Sequence, residues 1–149
     1  MEESIKAYIA GIIDGEGSIM LNKSRKNEFR VPFVSVSSTT PEILDFLKFH
    51  CSGTICSHKT YKEHHKPHWS WRISHNTALS LLEQIVNFLL VPEKLFRAKY
   101  LLDGYKKVTP RNGKYTTEML VAKHSFEDNF FYLIGGLAGI RKPGPYTID

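Results

Sequence analysis

What this chain of 149 residues lacks narrows the field first. It holds two cysteines, Cys51 and Cys56, too few for a disulfide framework, and they read as reduced thiols of an intracellular protein. No run approaches the roughly eighteen consecutive apolar residues of a membrane-spanning helix, so no membrane is expected among its partners. The opening Met1-Glu2-Glu3 is acidic and has neither the basic nor the apolar stretch of a secretory signal. An intracellular setting is expected, either a bacterial or archaeal cytoplasm or an organelle matrix. There is no low-complexity segment and no tandem repeat.

What is present points to a packed protein with an anionic partner. Hydrophobic residues make up 42% and aromatics 12%, enough to build a core and too many for a disordered chain. The length suits a single domain over residues 1–149, with a core over about residues 4–105 and a C-terminal helical region over about residues 114–140. Twenty Lys and Arg outweigh fifteen Asp and Glu, for a formal charge of +5. That balance has the sign a nucleic-acid ligand requires. Cys51, Cys56, His64, His65 and His68 are zinc-ligating residue types, but their spacing fits no compact zinc module.

The alternation of apolar residues predicts an α+β fold. Ile5, Tyr8, Ile9, Ile12 and Ile13 recur at helical spacing, and Gly15 and Gly17 are expected to end that helix. A strand from Ser18 to Lys26 follows, with Ile19 and Leu21 on one face and Met20, Asn22, Ser24 and Lys26 on the other. After the turn Asn27-Glu28, a strand from about Phe29 to Ser37 returns, and Pro32 argues against full pairing on both sides there. Thr40 caps a helix beginning at Pro41 and carrying Ile43, Leu44, Phe46, Leu47 and Phe49, which ends at Ser52-Gly53. A second hairpin pairs Thr54–Tyr61 with His68–His75 around a polar tip at 62–67. Trp69, Trp71 and Ile73 share one of its faces. Asn76 or Thr77 caps the next helix, with Leu79, Leu82, Ile85, Val86 and Leu89 buried. Pro92 opens another helix, to about Tyr105. The order αββαββα predicts an antiparallel sheet packed on helices by its greasy face. Its polar face is either a solvated face, as antiparallel sheets often have, or a face given to a ligand.

The first helix is the unusual element. Asp14 and Glu16 sit at its carboxyl end, where the helix dipole disfavours carboxylates. Ala7, Gly11 and Gly15 recur every four residues, with Ala10 beside them, stripping one face so that a second helix backbone can approach closely. The stretch reads either as an ordinary core helix ending in an acidic, glycine-rich turn or as a self-pairing helix whose shared carboxylates a divalent cation must neutralise.

The string Ile9-Ala10-Gly11-Ile12-Ile13-Asp14-Gly15-Glu16-Gly17 resembles the signature of the LAGLIDADG homing endonuclease family. It matches by identity or conservative exchange at every position except the seventh, where glycine is common. The likeness extends through the αββαββα order to about residue 105. Leu137-Ala138-Gly139-Ile140-Arg141 echoes the first half of the signature, but no acids follow it, and it reads as coincidence.

The resemblance implies a site-specific double-strand DNA endonuclease of the intron- or intein-encoded type. With one signature helix per chain, it would act as a homodimer seamed along Ala7, Ala10, Gly11 and Gly15, read a pseudo-palindromic site, and leave 3′ overhangs. It assigns Glu16 as the metal-binding catalytic acid, one methylene longer than an aspartate, and the Gly15 carbonyl as a second metal ligand. Asp14 would hold the turn at the helix end. Lys94 corresponds to the family's active-site lysine, and Ser38 to a polar group that positions water. Mg²⁺ or Mn²⁺ would serve cleavage, whereas Ca²⁺ would support binding alone. DNA contacts are expected from Asn22, Ser24, Lys26, Arg30, Ser35, Ser37, His58, Lys66, Ser70 and Arg72. Arg72 is the candidate for guanine, and Lys26 or Lys66 for phosphate. Two alternatives remain: a maturase binding its host intron RNA, and a DNA-binding regulator that keeps the fold without cleavage.

Overall fold

The computed structural model describes residues 1–58 and 66–137. Residues 62–65 of the expected hairpin tip, His64 and His65 among them, and residues 138–141 of the signature echo lie outside them. Four strands form one antiparallel sheet: β1 (Gly17–Asn22), β2 (Val31–Ser38), β3 (Thr54–His58) and β4 (His68–Ser74), in the order β1-β2-β4-β3. Among the described residues five α-helices accompany it: α1 (Glu3–Glu16), α2 (Pro41–Cys51), α3 (His75–Ile85), α4 (Pro92–Gly104) and α5 (Thr117–Leu137). No helix among the described residues is long and apolar enough to cross a membrane.

The alternation of side chains divides the sheet as expected. Ile19, Leu21, Val34, Val36, Trp71 and Ile73 face the helices and are buried. They meet Ile9, Ala10 and Ile13 of α1, Leu44 and Leu47 of α2, and Leu79, Leu82 and Ile85 of α3. Burying side chains of this size stabilises by about 1.5–3 kcal/mol each, so this apolar layer holds the sheet to the helices. Arg97 reaches from α4 to donate to the Ile19 carbonyl at 3.2 Å, and its guanidinium also pairs with Glu93 one turn earlier at 2.7 Å.

Local details depart from the sequence reading. β1 stops at Asn22 and β2 begins at Val31, so residues 23–30 form a longer loop than the expected turn. Pro32 sits in a central strand, yet only β1 pairs with it. The β2–β4 register begins one residue later, at Phe33, so proline's missing N–H disturbs no ladder there.

Gly17 does not end α1 through unusual backbone angles, since its φ of −94° is open to any residue. It is required because a Cβ there would stand 2.7 Å from the Ile13 Cα. Left-handed backbone instead marks the end of α2, where Ser52 and Gly53 have φ of 59° and 102°. The Trp71 indole N–H donates to the Ser52 carbonyl at 2.7 Å and ties that turn to the sheet.

Thr40 occupies the cap position of α2 without a side-chain capping bond; Ser38 Oγ accepts the Thr40 N–H instead, at 3.0 Å. Helix α3 starts earlier than expected, at His75, with Ser74 in the cap position and no side-chain capping bond. Tyr8 and Phe49 are not core residues. Tyr8 is exposed and packs edge-on against Phe46 at 5.0 Å, and Phe49 is 84% exposed. Gly135 and Gly136 do not interrupt α5, whose helical backbone runs to Leu137.

Candidate functional site

The carboxyl end of α1 and the amino end of α4 are clasped to each other. Asp14 Oδ2 accepts the Leu90 N–H at 2.9 Å, and Oδ1 accepts the Val91 N–H at 3.0 Å. Val91 is the cap residue of α4 and has no side-chain capping bond of its own, so the carboxylate from α1 serves that helix end. In return, Lys94 Nζ donates to the carbonyls of Ile13 at 2.7 Å and Asp14 at 2.6 Å. An acid at the unfavourable pole of its own helix thus sits at the favourable pole of another. The lysine, unfavourable in the first turn of α4, neutralises the negative end of α1. Replacing Asp14 by Ala leaves two N–H groups without their acceptor and is expected to lower stability by about 1–3 kcal/mol, read from urea unfolding.

This clasp leaves Glu16 as the exposed acid at the tip of α1. Gly15 precedes it, and its carbonyl follows the two that Lys94 occupies. Ser38, at the end of β2, lies at the same end of the sheet as Gly17, whose register partner is Val36. Its hydroxyl oxygen is engaged in the turn into α2. Along α1, Ala7, Gly11 and Gly15 are all exposed. A Cβ built on Gly11 or Gly15 would meet nothing within 4 Å, so the file of small residues is bare. Ala10 does not share it, because Ala10 is fully buried in the core of its own chain.

The second face of the sheet is open. Across it run the registered rows Ser18–Ser35–Arg72–Thr54 and Ser37–Ser70–Cys56, then His58–His68. Ser37 Oγ and Ser70 Oγ lie 3.1 Å apart, Ser70 also bonds His58, and the His58 and His68 rings stack with centroids 4.7 Å apart. Arg72 is exposed and lines a groove of about 520 Å³ with Asn22, Lys23, Ser24 and Phe33. Lys26 and Lys66 are exposed in the segments flanking the strands.

Arg30 departs from this arrangement. Its guanidinium donates to the Leu21 carbonyl at 3.3 Å and lies 4.7 Å over the Phe131 ring, so it braces α5 rather than extending the polar face. Met20 lies on this face as the alternation placed it, and Val31 and Phe33 join it by register, so the face is partly apolar. Thr54, Cys56 and His68 belong to it and were not among the expected contact residues. The period-two alternation of β3 and β4 could have found them.

No protein-family model and no curated protein sequence matches the chain. Solved structures do. The homing endonuclease I-CvuI, in complex with the I-CreI target, aligns at a TM-score of 0.64 and 22% identity over 93% of this chain and 84% of that one. The archaeal intron-encoded homing endonuclease I-Vdi141I, complexed with DNA, aligns at 0.57 and 19% over 98% and 91%. The I-SmaMI LAGLIDADG homing endonuclease, bound to cleaved DNA, aligns at 0.56 and 20%.

This is the LAGLIDADG homing endonuclease fold. In I-SmaMI the match spans 97% of this chain and 51% of that chain, so one copy of this chain corresponds to about half of that protein. The signature-like string at residues 9–17 occupies the second half of α1 and the first residue of β1, and the sheet presents the open face described above.

Proposed function

We propose that the chain is a site-specific double-strand DNA endonuclease that works as a homodimer with divalent metal. The placement of Glu16 carries this reading: an exposed carboxylate at the tip of a helix whose adjoining face is bare, at one end of an open polar sheet. Two copies seamed along Ala7, Gly11 and Gly15 would bring two Glu16 side chains under one duplex. The paired sheets would follow the major groove on either side, so a twofold dimer would read a pseudo-palindromic site.

Within that assembly the Glu16 carboxylate and the Gly15 carbonyl would hold Mg²⁺ or Mn²⁺, since both are hard oxygen donors. Asp14 is already occupied by Leu90 and Val91. Among the described residues no group of three His, Cys, Asp or Glu forms a metal cage within one copy. Two oxygen donors from one copy would leave the remaining positions around the cation to the second copy, DNA phosphate and water. When bound, the metal supplies a nucleophilic water and neutralises charge on the phosphate. Lys94 fixes the end of α1 and so orients Glu16, while Ser38 lines the same end of the sheet. Cutting across the minor groove leaves 3′ overhangs.

The test is selection of cut duplexes from a DNA library, beginning with the sequence that joins the flanks of the coding gene. The expected outcome is one dominant target, cut on both strands with Mg²⁺ and bound uncut with Ca²⁺. Absence of any selected target would overturn the reading.

The thiols give a second check on which face meets DNA. Cys56 lies on the polar face opposite Ser70, whereas burial pushes the Cys51 thiol up to about 11. At neutral pH a thiol reagent is expected to label Cys56 faster than Cys51, and target DNA to slow Cys56 labelling by about tenfold or more. Unchanged labelling under saturating DNA would move the duplex off this face.

A further inference from the structure

Helix α5 carries two charged side chains that the proposed chemistry does not use, and both are withdrawn from water. Lys123 is 1% exposed and Glu127 is 8% exposed, one helical turn apart. Covering α4 does not call for them, because Phe126 and Phe130 do that work, with Tyr100 stacked on Phe126 at 4.8 Å. Buried charges are costly unless they are partnered, so their partners show what they serve.

The partner of Glu127 lies at the start of β2, while Lys123 reaches the turn after α4 and the edge of the same segment. Glu127 Oε1 accepts the Arg30 backbone N–H at 2.7 Å. The Arg30 guanidinium lies over Phe131, and Phe29 packs against Tyr115 at 5.0 Å and His124 at 5.2 Å. The Lys123 ammonium sits 5.7 Å from the Phe29 ring and 4.3 Å from that of Tyr105, and donates to Thr109 Oγ1 at 2.6 Å. Burial holds its pKa below the ordinary lysine value, with the Glu127 charge opposing that shift.

Beyond this point the attachment stops. A groove of about 500 Å³, bounded by Lys26, Asn27, Asp128 and Phe131, runs beneath the loop at 23–30. The loop is gripped at its base and open at its tip. Eight residues are too many for a hairpin turn to set its own direction, so the direction comes from whatever holds the base.

We infer that α5 is a strut for DNA reading, in which Glu127 and Phe131 are positioning residues that aim the β1–β2 loop, with Lys23 and Lys26, at the outer part of each half-site, because that loop follows the end of β1 opposite Gly17 and Glu16. This rests on the DNA reading proposed above and extends it to the C-terminal region, beyond the extent of the signature-bearing core.

Two measurements separate the strut from that reading. In the DNA-free protein, Glu127→Ala is expected to speed hydrogen exchange at the Arg30 amide by about tenfold or more, while Glu127→Gln, which keeps an acceptor oxygen, restores protection. Wild-type exchange in Glu127→Ala would overturn the strut whether or not DNA is the ligand. On the selected target, Glu127→Ala and the half-exposed Phe131→Ala are expected to lose discrimination about tenfold at the outer base pairs alone, and Glu127→Gln to retain it. Central positions should read as in wild type. Undiminished outer discrimination, or an equal loss at every position, would overturn the inference, since a merely loosened fold would blur the whole site.

Discussion

Glu16→Gln is expected to bind the target as wild type does and to cut it at least about 10³-fold more slowly with Mg²⁺. The substitution keeps the shape and one carbonyl oxygen and removes only the charge that would hold the cation. Folding should not suffer, because the side chain is exposed at the tip of α1. Binding should hold or tighten slightly, since a negative charge near phosphates is lost. The measurement pairs gel-shift affinity in Ca²⁺ with single-turnover cleavage in Mg²⁺. Wild-type cutting would remove Glu16 from the chemistry. Asp14 provides the contrast: its replacement should act on unfolding free energy, because its oxygens serve the start of α4.

Gly11→Leu is expected to separate the dimer while leaving each chain folded. In one chain a Cβ at Gly11 meets nothing within 4 Å, so a leucine there disturbs no internal packing. Leucine even favours the helix over glycine by nearly 1 kcal/mol. Across a close seam the same side chain overpacks. Each insertion costs about 1–3 kcal/mol, and a twofold interface carries two of them. The dimer dissociation constant should therefore rise by about 30-fold to 10⁴-fold. Light scattering would then read the mass of one 17.1 kDa chain where wild type reads two, with thermal unfolding of the chain unimpaired and cleavage lost. An unchanged dimer mass would place the seam elsewhere.

The two variants act on neighbouring positions of one helix yet should fail in opposite ways, one bound and uncut, the other unassembled. That separation follows from geometry rather than residue type. Gly11 lies on a bare lateral face and Glu16 at the tip, and the clasp of Asp14 and Lys94 holds that tip against the start of α4.

Some of this was legible along the chain because it depends on short-range rules. Period-two alternation sorted Ile19, Leu21, Val34, Val36, Trp71 and Ile73 onto the buried face, and three- and four-residue spacing marked α1 to α4. The signature string marked the helix on which the proposed chemistry rests. Such patterns survive because a one-residue slip would turn a whole apolar set into water.

Other features had no short-range signal. Asp14 and Lys94 are eighty residues apart, and only the packing of α1 against the start of α4 shows that each serves the other's helix end. The file Ala7, Gly11, Gly15 was visible as spacing, but that Ala10 turns inward while the other three remain bare depends on where the core lies. Arg30 read as a DNA contact because cations near a polar face usually are. Its true surroundings are Phe131 and the Leu21 carbonyl. Lys123 and Glu127 were not singled out in the sequence, because a Lys and a Glu one turn apart on a helix ordinarily form a solvated pair. Local sequence therefore determined which faces are greasy, which helix carries the acids, and the order of the elements. The tertiary structure alone decided which charges are withdrawn from water and what they hold, because burial is set by what packs on top, and nothing within a few residues of Lys123 or Glu127 encodes that.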